Sequence, residues 1–470
     1  MKKLNVFLAS ALSTLALTAA EIGEVIVRQQ WPWSTDIKIE YTLSDVTAPV
    51  DITVKAYDGN EDLPIPDGAL VGDVYGVTKG GVHAILLDPV KVFGAEKVAL
   101  PDFTVKLSVA DSTEDMDEAV YKIFDLDSGD CTDVKRRDLL NGRYGSYERD
   151  FGKIGAGYKT SLSDVLIWTG VTNDIAYKTT KLVMRKVNAA GKIWKIGSPE
   201  GEPGRQKSDV DGWETQHDVK LTEDYYIGVF ELTQAQCLKV WGQNPSYFPS
   251  ADDSPYRPVE GVRYAQMRGY RGNKSGGTPN ENVNWPTNSY KHLVRYDSVC
   301  GKLRSKCTVH FDLPTEAQWE FACRAGTTSG IYTGESFASE SEHSALVGPL
   351  SWNELNSAIE GTKQTHPVGL KRPNAFGLYD MYGNVMEQCL DWSVNDIDVY
   401  QTGDPLIDPD GGTVPNAKMS RQLRGSCYNH NARTSRSAYR TPGTYWSDEE
   451  RSQLYGLRVV CPATASGLWE

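Results

Sequence analysis

Seventeen residues near the end of the chain, Arg424 to Arg440, carry the side chains best suited to chemistry. The segment reads RGSCYNHNARTSRSAYR and contains one thiol, one imidazole, several hydroxyls and four guanidinium groups. One hypothesis is an active site built around the thiol. The alternative is that the segment only frames a site, with its arginines either binding an anionic ligand or pairing with buried carboxylates such as Glu316, Glu320 or Asp391.

The other cysteines and histidines do not form a local metal motif. The chain has eight cysteines and seven histidines, and it contains no CxxC, HExxH or HxH sequence. Zinc ribbons and thioredoxin-like redox sites are therefore excluded. Cys300 and Cys307 are nearest in sequence and could close a local loop, although the pairing of the eight thiols stays open. Cys323 is interpreted as a buried helix residue or half of a disulfide, because no base stands near it in sequence.

The N-terminus has the pattern of a secretory signal peptide. It reads MKKLNVFLASALSTLALTAA, in which Lys2 and Lys3 precede an uncharged apolar stretch that ends in small residues. An uncleaved membrane anchor is the alternative, but the stretch is shorter than the roughly 20 apolar residues of a membrane span. We therefore expect residues 1–20 to be removed and the mature protein to be secreted, periplasmic or in the cell envelope, without a membrane span.

Overall charge restricts the class of partner. The formal net charge is −13 and no run of basic residues occurs. Because neutralisation of phosphates supplies most of the affinity for nucleic acids, such a chain is a poor candidate for binding them. Divalent cations and neutral ligands suit it better.

The N-terminal and C-terminal parts of the chain differ in residue pattern. The segments DIKIEYTL, DITVKAYD and FTVKLSVAD alternate apolar and polar residues, which predicts strands with one buried face. With turn signals between them, they predict an immunoglobulin-like or fibronectin-like β-sandwich over residues 21–111. Residues 112–177 are interpreted as a linker or β extension, with strands in VYKIFDLDSG and SDVLIWTGV and a long loop over residues 133–159.

Residues 178–470 predict a second domain rich in Gly, Asn, Trp and Pro. Its two clearest helices begin after Thr233 and Thr315, because a threonine side chain can accept hydrogen bonds from the exposed N–H groups of a helix start. Gly326 suits the end of the second helix. The predicted fold class is α+β, with little regular secondary structure in this domain.

The second domain resembles the formylglycine-generating enzyme family, also called the sulfatase-modifying factor domain, whose fold is related to C-type lectins. The matching motifs occur in family order over roughly residues 178 to 465. They are WKIGSPEGEPGR, YYIGVFELTQAQCLKVWGQNPSYF, RPVEGVRYAQM, LPTEAQWEFACRAGT, THPVGLKRPNAFGLYDMYGNVMEQCLDW, and LRGSCYNHNARTSRSAYR followed by YGLRVV.

The resemblance implies oxygen-dependent conversion of a sulfatase cysteine, in a C-x-P-x-R peptide, into formylglycine. The family's copper site uses two cysteines spaced C-x4-C, because a thiolate pair makes a soft site that selects Cu(I). In this chain the two matching positions carry His430 and Ser435, and Cys427 stands where the family usually has serine. No pair of cysteines reproduces the spacing, which argues against copper-dependent catalysis.

Two other metals follow from the resemblance. A related branch uses non-heme iron held by an H-x3-H-x-E pattern in an N-terminal helical domain, and that pattern is absent here. The family places calcium in DMYGNVMEQ, which would assign Asp380 and Glu387 as carboxylate ligands and the carbonyls of Gly383 and Val385 as neutral ones. The alternative is a turn in which Glu387 caps backbone amides without an ion.

The sequence therefore favours a secreted binding or accessory module without copper chemistry, which would hold a peptide, glycan or protein. A divergent formylglycine-generating oxidase that acts on an exported sulfatase is the first alternative, and a purely structural envelope protein is the second. The candidate ligand-binding residues are Arg424, Tyr428, His430, Arg433 and Arg436.

Overall fold

The computed structural model describes residues 20–30, 34–94, 100–149, 166–206, 213–269, 294–335, 337–393, 404–409, 421–442 and 452–463. These residues form two compact units. The first comprises the chain up to Asp117 together with residues 140–143, and the second comprises residues 118–139 and the chain from Tyr144 onward. The predicted signal peptide lies, apart from Ala20, outside the described residues.

The first unit consists of two antiparallel sheets. One has the strand order β1-β2-β6-β5 and the other β4-β3-β7. The elements are β1 (Glu21–Gln29), β2 (Ile37–Ser44), β3 (Val50–Asp58), β4 (Glu61–Leu63), β5 (Leu70–Gly72), β6 (Gly81–Leu87), the short helix α1 (Pro89–Phe93) and β7 (Phe103–Asp111).

Alternation in the sequence builds the core of this unit. Ile39 and Tyr41 of β2 and Ile52 of β3 are buried in one apolar cluster, whereas Lys38 and Glu40 lie at the half-exposed face of β2. A strand places successive side chains on opposite faces, so alternating residues bury one face and solvate the other. The three strands expected in this region, and the all-β character of its sheets, are confirmed.

The second unit has many short strands and a few helices. Its elements are β8 (Ala119–Asp125), β9 (Cys131–Lys135), α2 (Arg136–Leu140), β10 (Glu148–Arg149), β11 (Leu166–Ile167), β12 (Lys181–Val187), β13 (Ile193–Ile196), β14 (His217–Lys220), β15 (Tyr225–Gly228), α3 (Gln234–Trp241), α4 (Tyr264–Met267), α5 (Val299–Cys307), α6 (Glu316–Arg324), α7 (Glu340–Val347), β16 (Ser351–Trp352), β17 (Ala358–Ile359), β18 (Thr362–Lys363), β19 (Tyr382–Gly383), β20 (Met386–Trp392), β21 (Leu406–Ile407), β22 (Arg421–Arg424), β23 (Thr441–Pro442), β24 (Tyr455–Gly456) and β25 (Val460–Pro462).

The second unit contains a five-stranded antiparallel sheet with the order β25-β15-β12-β8-β9. Residues 118–139 contribute β8 and β9 to it. The single long loop expected over residues 133–159 is wrong where the structure describes it, because α2 and β10 lie there and the helix buries Leu139 and Leu140. Residues 150–165 lie outside the described part.

The two predicted helices are confirmed at their caps. Thr233 Oγ accepts the N–H of Gln236 and the Gln236 side chain accepts the N–H of Thr233, at 3.2 and 3.0 Å. Thr315 and Gln318 form the same reciprocal pair at the start of α6. Two exposed N–H groups are satisfied in each case, so both helix starts are fixed locally. No helix in the described ranges is long and apolar enough to cross a membrane.

A four-stranded sheet, β23-β22-β20-β24, carries the chemically rich segment. Glu387 of β20 pairs with Arg424 of β22. Immediately after β22, Gly425 and Ser426 adopt φ of 91° and 67°. A Cβ at Gly425 would lie 3.2 Å from the Trp319 ring. This left-handed turn directs the chain from the sheet into residues 427–436.

Candidate functional site

Ser435, which matches the second copper-thiol position, is held in the interior by hydrogen bonds. Its Oγ lies 2.9 Å from Ser351 Oγ, and its carbonyl lies 3.2 Å from Nε2 of His343. All three residues are buried. A pair of hydroxyls therefore occupies this position, and hydroxyl oxygens are harder ligands than the thiolates that Cu(I) prefers.

His430, which matches the first thiol position, is half-buried at the edge of the same segment. Its N–H donates to the carbonyl of Cys427 (3.1 Å) and its carbonyl accepts the N–H of Glu354 (3.0 Å). Burial lowers the pKa of the imidazole, and the nearby carboxylate of Glu354 opposes that effect. The imidazole is therefore neutral at pH 7.

One loop, residues 351–357, fastens the segment from outside. Besides the contacts of Ser351 and Glu354, the hydroxyl of Ser357 donates to the carbonyl of Tyr428 at 2.7 Å. Leu355 at the tip of this loop is 68% exposed. Sequence reasoning missed the loop, because its role depends on contacts with a segment about 80 residues later in the chain, and its residues carry no recognisable motif.

The one thiol of the segment is not activated. Cys427 is fully buried in an apolar cluster with Met386, Leu423 and Tyr455. Burial raises the pKa of this thiol to about 12, although two backbone N–H groups oppose the shift. Since the thiolate is the reactive form, burial disfavours a reaction of Cys427 at neutral pH. Cys323, in α6, is likewise buried with its pKa raised to about 12.

Arg424 and Arg440 belong to a buried ion-pair network with α6. Arg424 donates to Glu320 and lies 3.4 Å from Glu316, and Arg440 forms a bidentate pair with Glu316 at 2.7 and 2.8 Å. Arg324 also pairs with Glu320 at 2.8 Å. For Arg424 and Arg440, the structure therefore shows the alternative in which the arginines pair with Glu316 and Glu320.

Arg436 is also buried, whereas Arg433 is exposed. The guanidinium of Arg436 lies between Glu214 (2.6 and 2.9 Å) and Glu202 (2.9 Å). A ligand could reach Arg424 or Arg436 only by displacing these carboxylates. Of the candidate ligand-binding residues, His430 and Arg433 are the ones with solvent-accessible side chains.

Tyr428 is buried, unlike the accessible side chains of His430 and Arg433, and it packs against Phe248. Its ring meets Phe248 edge-on at 5.7 Å, and its buried hydroxyl has no hydrogen-bond partner within the described ranges. Burial raises the pKa of Tyr428, so the hydroxyl stays protonated. An unsatisfied buried hydroxyl has a free-energy cost, and the burial of Tyr428 keeps its hydroxyl away from a ligand in solution.

The predicted calcium loop shows a mixed fit to a cation. Asp380 is buried; its Oδ2 accepts the N–H of Gly369 (2.6 Å), while its Oδ1 has no partner among the residues described. Burial raises the pKa of Asp380 to about 6. By contrast, both oxygens of Glu387 accept from Arg458 (2.7 to 3.0 Å), and one also accepts from Trp319 (2.6 Å).

Glu231, which sequence reasoning missed, adds a third carboxylate to this interior region. It accepts the N–H of Val385 at 3.1 Å, and burial together with Asp380 and Glu387 raises its pKa well above the ordinary range. Arg458 is the cation that most strongly opposes this shift. A single acidic residue inside the apolar run VFELT was the available signal.

Across the described ranges, no set of three or more His, Cys, Asp or Glu side chains has the arrangement of a metal site. The predicted calcium ligands include only two carboxylates, Asp380 and Glu387. Their fit to an ion therefore depends on the hydrogen bonds of these two side chains. Asp380, with its unsatisfied oxygen, fits a calcium ligand, whereas Glu387 would have to exchange Arg458 for the ion.

Comparisons with known proteins agree on one region. Residues 189–463 match the family described as sulfatase-modifying factor enzyme 1-like domain. The chain is 32% identical over 183 residues to the chaperone protein LppX of Paenibacillus barcinonensis, which is 36% of this chain and 62% of that protein. It is 35% identical over 117 residues to the formylglycine-generating enzyme of Streptomyces coelicolor, which is 25% of this chain and 35% of that protein.

The chain thus spans less than two thirds of the length of either relative. Among solved structures it is similar to Treponema denticola variable protein 1, with a TM-score of 0.42 and 24% identity over 60% of this chain and 96% of that one.

Proposed function

This chain belongs to the sulfatase-modifying factor enzyme 1-like family, and from that premise we propose that it is a member without copper-dependent oxidase activity, acting as a binding or accessory module for an exported protein or peptide. One observation carries the proposal. The two thiol positions hold His430 and Ser435, and the Ser435 hydroxyl is bonded to Ser351 in the interior. A Cu(I) centre needs soft sulfur ligands, and this arrangement offers none.

The geometry supports a shallow binding rim rather than a deep anion pocket. His430 and Arg433 border the segment, and Glu354 and Leu355 face outward on the loop against it. Charges of both signs beside an exposed aliphatic side chain suit a polypeptide better than a phosphate or sulfate. The relative named as a chaperone supports a polypeptide partner.

An aldehyde assay tests the absence of oxidase activity. The purified full chain is incubated with a C-x-P-x-R peptide, Cu(I) and oxygen, and aldehyde is captured with a hydroxylamine probe and measured by mass spectrometry. We expect no aldehyde and no stoichiometric Cu(I) binding from the wild type. The matched variant carries His430→Cys and Ser435→Cys together and should bind Cu(I). Aldehyde formation by the wild type would establish the alternative, a divergent oxidase acting on sulfatases.

The binding function has its own test. We expect the wild type to suppress aggregation of a chemically denatured model enzyme, and Leu355→Asp combined with Arg433→Glu to weaken suppression at least about fivefold. Asp408→Asn, on an exposed turn of another sheet, serves as the control. Equal suppression by the rim variant and the wild type would count against this rim. A glycan array carried out in parallel distinguishes a carbohydrate ligand, which would overturn the choice of a polypeptide.

Export and the first unit complete the proposal. We propose that residues 1–20 are a cleaved secretory signal, that the protein works in the cell envelope or outside the cell, and that its first unit is an immunoglobulin-like spacer before a domain related to C-type lectins. Support comes from the Lys2–Lys3 start and from the two antiparallel sheets of the first unit. N-terminal sequencing of the exported protein should begin after Ala20, and an intact Met1 would contradict it.

Calcium is the cofactor we propose for the Asp380–Glu387 loop. The support is the buried Oδ1 of Asp380, which has no hydrogen-bond partner among the described residues, and the nearby carboxylates of Glu231 and Glu387. Asp380 and the carbonyls of Gly383 and Val385 would hold the ion, which would stabilise the loop without taking part in a reaction.

A further inference from the structure

Three thiols of the second unit lie toward one face of the five-stranded sheet. Cys131 begins β9 and stands opposite Phe124 of β8. Directly opposed residues on neighbouring strands direct their side chains to the same face. Phe124 meets Phe311 at 5.0 Å within the core beneath that face. Cys131 therefore lies on the same face of the sheet as Phe124, at an exposed position.

The other two thiols belong to this core. Cys307 is the last residue of α5 and Cys461 lies in β25, and both are buried in the cluster that contains Phe124. The C-terminal end of α5 presses on the turn between β8 and β9. A Cβ at Gly129 in that turn would lie 2.1 Å from the carbonyl oxygen of Lys306 and 3.7 Å from Cα of Cys307. Cys131 follows Gly129 by two residues, so the two chain segments that carry Cys131 and Cys307 are in contact.

The thiols also interact electrostatically. Burial raises the pKa of Cys307 to about 12, and a charge on Cys131 raises it further. Burial and charge on both of these thiols raise the pKa of Cys461, while Lys122 opposes the effect. Cys131 is the exposed member of the three. An oxidant in solution can therefore meet Cys131 first, with Cys307 adjacent in the interior.

We propose that Cys131 and Cys307 form a reversible disulfide that fastens the β8–β9 turn to the end of α5. The thiolate of Cys131 attacks a small-molecule disulfide such as glutathione disulfide and displaces one glutathione thiolate. The thiolate of Cys307 then attacks the sulfur of Cys131 and displaces the second glutathione. The two cysteines lose two protons and two electrons, and the reagent gains them as two molecules of glutathione.

Helix geometry excludes the pairing suggested by sequence proximity. Cys300 and Cys307 both lie on α5, seven residues apart. At 1.5 Å per residue they are separated by roughly 10 Å along the helix axis, beyond the roughly 4.4–6.8 Å between Cα atoms that a disulfide spans. A local Cys300–Cys307 bridge is therefore wrong, and Cys307 is left to pair across the contact with the β8–β9 turn.

Peptide mapping of the full wild-type chain tests the proposal directly. The protein is oxidised with glutathione disulfide, its remaining thiols are alkylated, and it is digested without reduction for mass spectrometry. We expect one linked peptide pair containing Cys131 and Cys307, which separates on reduction. Recovery of both as alkylated thiols, or linkage of Cys307 to Cys461 instead, would overturn it. Because the map uses the wild type, the result does not depend on a variant folding.

Thermal unfolding gives the second measurement. A disulfide between Cys131 and Cys307 closes a long loop of the unfolded chain, so it should raise the Tm of the oxidised wild type by about 5 °C over the reduced form. Cys131→Ser should abolish that shift and leave the Tm of the reduced protein unchanged, because the side chain is exposed. Thr132→Ser, an exposed neighbour that leaves both thiols in place, should keep the shift. A redox-dependent shift of the same size in Cys131→Ser would contradict the assignment.

Discussion

Ser435 and Ser351 are joined by a hydrogen bond between their hydroxyl oxygens, 2.9 Å apart in the protein interior. Ser435 belongs to the Arg424–Arg440 segment, and Ser351 is the first residue of the 351–357 loop that contacts this segment. The carbonyl of Ser435 is held at the same time by His343. The bond thus gives Ser435 a structural role, because its side chain joins the Arg424–Arg440 segment to the 351–357 loop.

Removing either hydroxyl should destabilise the protein. Ser435→Ala and Ser351→Ala each leave the partner hydroxyl buried with one bond fewer, which we expect to cost about 1–2 kcal/mol in the free energy of unfolding. The double variant should cost less than the sum of the two, because it removes both partners. Urea unfolding of the four proteins measures the coupling. Strictly additive effects would show that the hydroxyls do not interact.

Arg436 should be far more sensitive than its neighbour Arg433. Arg436→Met leaves Glu214 buried without its bidentate partner, and breaking such a pair costs about 3–5 kcal/mol. Arg433→Met, three residues away and exposed, should change stability by less than about 0.5 kcal/mol. Both are measured by urea unfolding. Equal losses in the two variants would contradict the assignment of Arg436 to the interior.

Local patterns explain what could be predicted of the fold. Alternation in residues 37–43 predicted β2, and Thr315 predicted the start of α6, because strand periodicity and helix caps depend on residues within a few positions of each other. The assignment of His430 and Ser435 to the two thiol positions of the family is a prediction from motif spacing, since the order of the motifs sets the alignment.

The surroundings of the site depend on distant contacts. Arg436 and Glu214 are 222 residues apart in sequence, and Glu231 and Val385 are 154 apart. No local periodicity encodes which arginine meets which carboxylate, so ligand contacts and interior ion pairs look alike in a sequence. The same reason explains why the 351–357 loop escaped notice.

His343 should make stability depend on pH. Burial lowers its folded-state pKa to about 4, with Arg436 acting in the same direction and the carbonyl of Ser435 opposing. The unfolded pKa is about 6.5, so between these values the unfolded chain binds more protons and folding weakens as pH falls. We expect a loss of about 2 kcal/mol between pH 7 and pH 4.5, after allowance for solvent screening.

Comparison with His343→Gln isolates this contribution. His366 and His430 also have lowered pKa values from burial, so they add to the total loss in both proteins. The difference in unfolding free energy between wild type and variant, measured by urea unfolding at several pH values, should narrow as the pH falls below about 6.5. A difference that stays constant with pH would mean that His343 keeps its ordinary pKa in the fold.

Calcium removal should destabilise the second unit through Asp380. At a free calcium concentration about 100 times the Kd, binding adds about 2.7 kcal/mol, so a chelator should lower the Tm and added Ca²⁺ should restore it. Asp380→Ala should abolish the response because it removes the carboxylate with the unsatisfied oxygen, whereas Asp380→Asn keeps an oxygen and should bind more weakly. Glu354→Gln, which changes a carboxylate outside the loop, should respond like the wild type.

Metal analysis of the purified chain should find about one calcium per molecule, since the proposed loop forms a single oxygen-ligand site. A wild-type Tm that is unchanged by chelation would mean that the Asp380–Glu387 loop is stabilised by Arg458 and its own hydrogen bonds instead.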